Sequence, residues 1–527
     1  MKSSPDHHTF KFAFNFPFLA GIIFLFAYWL FAFDGITFSD DVYYLLAGQK
    51  FWEGTMEVND YHFSSRWGAY VPSGLIGYLI GFDAHKISLI SLISYLASLF
   101  ILLKLLPKSV PTWVLVVWFC TQVYFLHFLT KVYPDSSLVL WTCLVPVAAV
   151  YRKSNPILAG IVLVASLFIG FLTKETIVLL APLPIILFYF DWKNTAINKS
   201  FYISVLTSGF LLSTAYLAYF WVQFGDPLHR VTSINAGHYI SEFTYADKGF
   251  CSIIKRLTIL PVITFVERSY WAWIVFALPG IALGLKSKTT PAFEFALSIS
   301  CLLIGFWFMT STLDFYNPIY LNPRHLIILV PILSFLIALG WNEWKNSRKW
   351  KMYLIALLLL GAGISLVQMD LKMAAFNLVL ASGIRISNLK FYPIFTTLIL
   401  VAPALIAIPY QQNLKQYNVL INTLGKETQN TYKKQVIYTH SFLDFSKKIL
   451  IPNDSIAQES LIPIYLFPSD LKQFPNRLKL LTYDYYLHAY PEEQEDLDEL
   501  LDKLNKYYEL LNSYKNGNIT VREYGRK

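Results

Sequence analysis

The chain has 527 residues, of which 55% are hydrophobic and 17% aromatic while only 15% are charged, against roughly 25% charged in a soluble globular domain. That composition excludes disordered, collagen-like and small disulfide-stapled chains, and the uncharged stretches 12–33 and 157–172 leave no polar face for water. The net charge of +9 lies entirely in residues 1–410, because 411–527 hold equal numbers of basic and acidic side chains; the excess reads as loop asymmetry in a membrane, with no basic stripe to suit a nucleic acid.

In chain order, apolar runs able to cross a ~30 Å hydrocarbon layer fall near 12–33, 87–106, 112–129, 136–151, 201–224, 271–285, 292–311, 326–341, 352–369 and 392–409. The first exceeds a signal-peptide core and lacks a small-x-small cleavage site, so it reads as a helix that spans. The stretch 157–190 is too long for one span and is interrupted by Thr173-Lys174-Glu175, which predicts two short helices meeting at a charged point. With the N-terminus inside, every inner connection is net positive, among them Lys2/Lys11, Arg152/Lys153 and Lys345/Arg348/Lys349/Lys351. Residues 370–391 carry Lys372, Arg385 and Lys390 beside a weakly apolar stretch, 373–381, which reads either as an interfacial helix or as an extra short span; the C-terminal segment is cytoplasmic on twelve spans and outside on thirteen.

Residues 411–527 are polar and patterned as a small α/β domain, with strands at 435–439 and 478–483 and an amphipathic helix at 495–512. The acidic run 492–499 reads as a solvated helix start. The predicted fold is therefore an all-α polytopic membrane protein of about twelve to thirteen transmembrane helices. It carries a large first outer loop (34–86) and ends in a soluble α/β domain. Cys120, Cys143 and Cys301 sit in apolar stretches and Cys251 stands alone, so neither a disulfide framework nor a structural zinc site is indicated.

The first outer loop is the most loaded segment. Asp40 and Asp41 open a helix at the membrane surface, either as capping carboxylates or as a general base at the mouth of a cavity. Three more groups fall on the same side: Lys131-Val-Tyr-Pro-Asp135, Lys174-Glu175, and Arg324-His325 at the start of a late span. Each alone fits a snorkelling interfacial residue. Together they point to a polar cavity with a task. Arg and Lys are the usual donors to phosphate, and a carboxylate beside them suits activation of a hydroxyl nucleophile. A sugar on a lipid phosphate already carries a good leaving group, so a single base suffices and attack from the opposite face inverts the anomeric carbon.

These residues resemble a known family. Asp40-Asp41, Arg66-Trp-Gly with Pro72 and Gly81, Tyr133-Pro-Asp135, Gly170-Phe-Leu-Thr-Lys-Glu-Thr176 and Arg324 resemble, in order and sidedness over roughly 1–345, the C-type glycosyltransferase (GT-C) superfamily. Within it the similarity is to protein O-mannosyltransferases and bacterial lipid A aminoarabinose transferases. The resemblance implies a multi-pass protein of the cell membrane, with a polyprenyl-phosphate-linked sugar as donor and an extracytoplasmic lipid, glycan or protein as acceptor. Asp40, Asp41 and Asp135 would be the catalytic acids. Lys131, Lys174, Arg324 and His325 would contact the donor phosphate, supported by Glu175, Arg66 and Tyr133. Asp41 stands where many relatives have Glu. No cofactor is required by the sequence; some relatives bind a divalent metal near these acids and others work without one. The resemblance also favours thirteen spans and an outer C-terminal domain.

Two readings from other classes compete. A secondary transporter or flippase would show inverted repeats and polar residues at mid-membrane, whereas here the ionisable residues gather at one surface. A non-enzymatic envelope scaffold would bind carbohydrate through Trp52, Trp67 and Tyr70.

Overall fold

A computed structural model describes residues 16–237, 244–429, 436–452 and 454–527. Lys2 and Lys11, assigned to the inner side, lie outside the described residues. The chain begins with helix α1 (Phe16–Phe31), continues into the surface helices α2 (Asp40–Trp52) and α3 (Trp67–Ile80), and then runs through a helical bundle to a small sheet domain. Each apolar run read from the sequence is mainly helical over its described residues. Among the described residues six helices cross a membrane by length and composition, eight if two bent pairs count as one span each, and three shorter apolar helices accompany them.

The run at 112–129 breaks at Thr121-Gln122, where the Gln122 side chain caps Phe125 N–H at 2.6 Å, and its halves are bent by 70°. The helices Pro134–Val150 and Ala292–Phe308 have 17 residues each. The interruption at Lys174 is as expected: the helix Pro156–Thr173 ends there, followed by a 3₁₀ turn Glu175–Leu180 and the helix Leu183–Lys193.

The bundle packs around Leu329–Asn346, in which every side chain from 329 to 341 is buried. Where the ends of three helices meet, Arg152 is buried between Asp191, at 2.9 Å, and Glu294. Arg152 is thus a tie between helices.

In the first loop α2 and α3 cross closely because both are Gly there, at 48 and 74. A Cβ on Gly48 would stand 2.8 Å from the Tyr70 carbonyl oxygen, a backbone atom that cannot turn aside. Gly48→Val is expected to cost about 1–3 kcal/mol as overpacking, read as a lowered unfolding midpoint in detergent; an unchanged midpoint would show the crossing to be loose.

The weakly apolar stretch after 370 is a helix, Leu371–Arg385, started by Asp370 accepting from Met373 N–H at 2.9 Å. The next helix, Tyr392–Lys415, leads to Tyr417–Gln429 and the sheet. The strands are β1 (Val436–Thr439), β2 (Leu461–Pro463), β3 (Arg477–Tyr483), β4 (Tyr508–Asn516) and β5 (Ile519–Arg526), in the order β2-β1-β3-β5-β4. β1 is parallel to both neighbours; β3–β5 and β5–β4 are antiparallel.

The helix expected at 495–512 spans Glu493–Tyr507 instead. Residues 508–512 belong to β4, because the tight turn at Gly517, φ +58°, folds that segment into a hairpin with β5. Leu497, Leu500 and Leu504 cover one face of the sheet. From the other face Leu420, Leu424, Ile437 and Leu481 share a core with Ile36, Phe38, Val42 and Leu45 of the first loop. The sheet domain and the 34–86 loop therefore pack together on one side of the bundle.

Candidate active site

The two adjacent acids have separate surroundings. Asp40 begins α2 and meets Arg324, Nη1 to Oδ2, at 2.8 Å, and both side chains keep about a fifth to a quarter of their surface in water (22% and 25%). Arg324 sits on the short helix Pro323–Leu326, whose start is fixed by the Asn322 side chain accepting from Arg324 N–H at 3.1 Å. Its guanidinium also lies over the Tyr133 ring, 5.2 Å from the centroid. Burial on its own would raise the Asp40 carboxyl, but Arg324, Arg66 and Lys174 together hold it below the usual carboxylate range.

Asp41, one residue on, points the other way and is buried. It accepts from Thr37 N–H at 2.7 Å, Thr37 Oγ1 at 2.6 Å and Ser39 N–H at 3.2 Å. Burial pushes its carboxyl up, against the pull of those bonds. It ties the loop that precedes α2 and is closed to solvent, whereas Asp40 is partly exposed.

Behind Arg324, Lys174 donates to both oxygens of fully buried Asp135 at 2.8 Å. Burial lowers the Lys174 ammonium to about 8, partly offset by Asp135. Its charge is matched before any ligand arrives. Glu175 is gripped by two arginines: Arg66 in a fork at 3.1 and 2.8 Å, and Arg230 at 2.9 Å. Arg66 also donates to Tyr44 Oη at 2.6 Å. Arg230 is buried with Nε and Nη1 unpartnered; the sequence offered no motif for it.

The structure separates Lys131 from this group. Its ammonium is buried against Asp34 and the Gly35 carbonyl, and Asp34 is shared with Lys415 at 3.0 Å. Burial, resisted by Asp34, brings Lys131 down to about 8, and the two lysines draw the Asp34 carboxyl far below its ordinary value although burial opposes them. With Asp34 saturating it, Lys131 is withdrawn from the phosphate-contacting set. His325 is half-buried with Nδ1 3.3 Å from the Tyr320 carbonyl oxygen. Burial first, then Lys174 and Arg324, keeps its imidazole neutral, so it brings no charge to a phosphate. Tyr133 joins the two groups, its hydroxyl 2.7 Å from Thr37 Oγ1.

Among the described residues no three His, Cys, Asp or Glu side chains converge as metal donors. Asp40 and Asp135 each face a cation instead, a donor set that does not fit a divalent ion. Two cavities flank α2 away from Asp40. One, of about 710 Å³, is lined by Gln49, Glu53, Asp83, Lys86, Lys448 and Gln458 against the sheet domain. The other, of about 480 Å³, is walled by Phe51, Trp67, Tyr70, Tyr219 and Phe224.

No protein-family profile and no curated protein matches the sequence. Among solved structures, ArnT from Cupriavidus metallidurans in the apo state superposes with a TM-score of 0.58 at 11% identity, covering 96% of this chain and 97% of that one. The same protein bound to undecaprenyl phosphate gives 0.57 over the same shares. The archaeal oligosaccharyltransferase AglB from Archaeoglobus fulgidus, in complex with an inhibitory peptide and a dolichol-phosphate, gives 0.47 at 10% identity over 97% of this chain and 74% of that one. The architecture thus agrees with the resemblance read from the acidic loop: the chain has the fold seen in ArnT.

Proposed function

We propose that this chain is an integral membrane glycosyltransferase that moves a sugar from a polyprenyl-phosphate donor to a hydroxyl of an extracytoplasmic acceptor. The observation that carries the reading is the Asp40–Arg324 pair, in which acid and cation are both open to water. The neighbouring carboxylates are already committed: Asp135 to Lys174, Glu175 to Arg66 and Arg230, Asp41 to Thr37 and Ser39, and, apart from these, Asp34 to Lys131 and Lys415. The ArnT fold, solved with undecaprenyl phosphate, supports a lipid phosphate as the ligand.

In this reading the donor phosphate takes Arg324 and leaves Asp40 without its partner. Asp40 then accepts the proton of the acceptor hydroxyl as its oxygen bonds to the anomeric carbon. The bond from that carbon to the phosphate oxygen breaks with inversion, and the electron pair leaves on polyprenyl phosphate, whose charge Arg324 meets. Lys174 lies behind Arg324 and adds a longer-range field; Arg66, Glu175 and Tyr133 hold the frame. The site then faces the outside of the cell membrane.

Arg324 depresses the Asp40 carboxyl, so removing that cation must raise it. Arg324→Gln is expected to move the acid limb of the kcat/KM profile to higher pH and to raise the donor KM more than tenfold. A limb that stays in place would show that Asp40 is not the group titrating.

A further inference from the structure

We infer that the C-terminal domain is a positioning clamp for the transfer site, holding Phe38 in a left-handed backbone conformation so that the helix beginning at Asp40 presents its carboxylate to Arg324. The inference rests on the proposed role of Asp40 and adds a task for a domain the reaction itself does not use.

Phe38 has φ +55°, a region bulky side chains rarely adopt, and it stands two residues before Asp40. Such a conformation persists only where the surroundings over-determine it. Here they come largely from the far end of the chain. The Phe38 ring is buried, edge-on to Tyr483 at 5.7 Å and 6.3 Å from Tyr417. The Phe38 carbonyl accepts from Tyr490 Oη at 2.9 Å. Upstream, Gly35 at φ +94° packs on the Tyr417 side chain with no room for a Cβ. Lys415 reaches Asp34 at 3.0 Å and the Ile36 carbonyl at 3.3 Å, while Tyr483 Oη donates to the Lys415 carbonyl.

On the bundle side Lys131 holds Asp34 and the Gly35 carbonyl and the Tyr133 hydroxyl meets Thr37 Oγ1 at 2.7 Å, while Asp41 closes the turn from within through its bonds to Thr37 and Ser39. Residues 34–39 are therefore gripped between the bundle and a domain about 380 positions later. If the domain's grip is released, Phe38 is free to return to negative φ, and the first turn of α2 swings with it. The aromatic hydroxyls and Lys415 are positioning residues: none lies against Arg324.

The test uses the full-length protein in nanodiscs. Tyr483→Phe/Tyr490→Phe removes two hydroxyls and keeps both rings; Lys415→Met removes the cation and keeps its stem. The first readout is amide hydrogen exchange without substrate, where residues 36–41 should exchange at least tenfold faster in both variants while the bundle is unchanged. The second is transfer from a synthetic polyprenyl-phosphate sugar, where kcat should fall tenfold or more with donor KM within twofold. Unchanged exchange at 36–41 overturns the clamp. Faster exchange with unchanged kcat overturns its positioning role. Should Lys415→Met not fold, the conservative double variant decides alone. Because exchange is read without substrate, a wild-type protein that transfers no sugar would contradict the proposed function and still leave the clamp measured.

Discussion

Asp40→Asn is expected to lower kcat for sugar transfer by about 10²–10⁴-fold, the usual worth of a positioned general base, while the donor KM stays equal or falls. Asn keeps the shape of the side chain, and its amide oxygen still accepts from Arg324. What it loses is the ability to take a proton. Because the carboxylate also occupies Arg324 at 2.8 Å in the resting protein, removing its charge frees that guanidinium for phosphate, so donor binding is not weakened. The split is diagnostic: a structural role for Asp40 would raise KM and lower the unfolding midpoint, and an unperturbed kcat would reject the assignment.

Lys174→Ala is expected to act first on folding. Asp135 is fully buried and both its oxygens are bonded to Lys174 at 2.8 Å, so deleting the cation leaves a carboxylate with no partner in a low-dielectric interior. Breaking a buried pair from one side costs about 3–5 kcal/mol, whereas replacing both partners by matching uncharged groups is often nearly neutral. Asp135→Asn/Lys174→Met should therefore recover most of the unfolding midpoint lost in Lys174→Ala. If the single variant melts like wild type and only the donor KM rises, Lys174 contacts the phosphate directly and the pair is incidental.

Sequence reading reached the spans and the loaded outer loop because both are local. Twenty apolar residues in a row have one physical outcome in water and lipid, and the Lys174 interruption marks its own break. It could not separate Asp40 from Asp41. Adjacent helix residues point about 100° apart, and which one faces Arg324 depends on a turn fixed by Phe38 and by residues beyond 415. The resemblance places Lys131 among the phosphate contacts, and its partner Asp34 shows in the sequence only as the polar end of the first span. Arg230 and Lys415 carried no local signal, because their meaning comes from Glu175, 55 positions away, and from Ile36, 379 positions away. The hairpin at Gly517 was missed for a related reason: a charged amphipathic stretch running into β4 continues the helical pattern, and only pairing with β5 ends it at Tyr507.

The central claim is that a bond between sugar and lipid phosphate is broken at Asp40 and Arg324. Phosphorus-31 NMR of the purified protein in nanodiscs, given a polyprenyl-phosphate sugar and an envelope-glycan extract as acceptor, follows that bond directly. The predicted result is conversion of the donor phosphodiester to a polyprenyl phosphomonoester by the wild type, with conversion abolished or nearly so by Asp40→Asn. A donor that is moved across the bilayer with its phosphodiester intact, as a flippase would leave it, or that is cleaved equally by Asp40→Asn, would contradict the account.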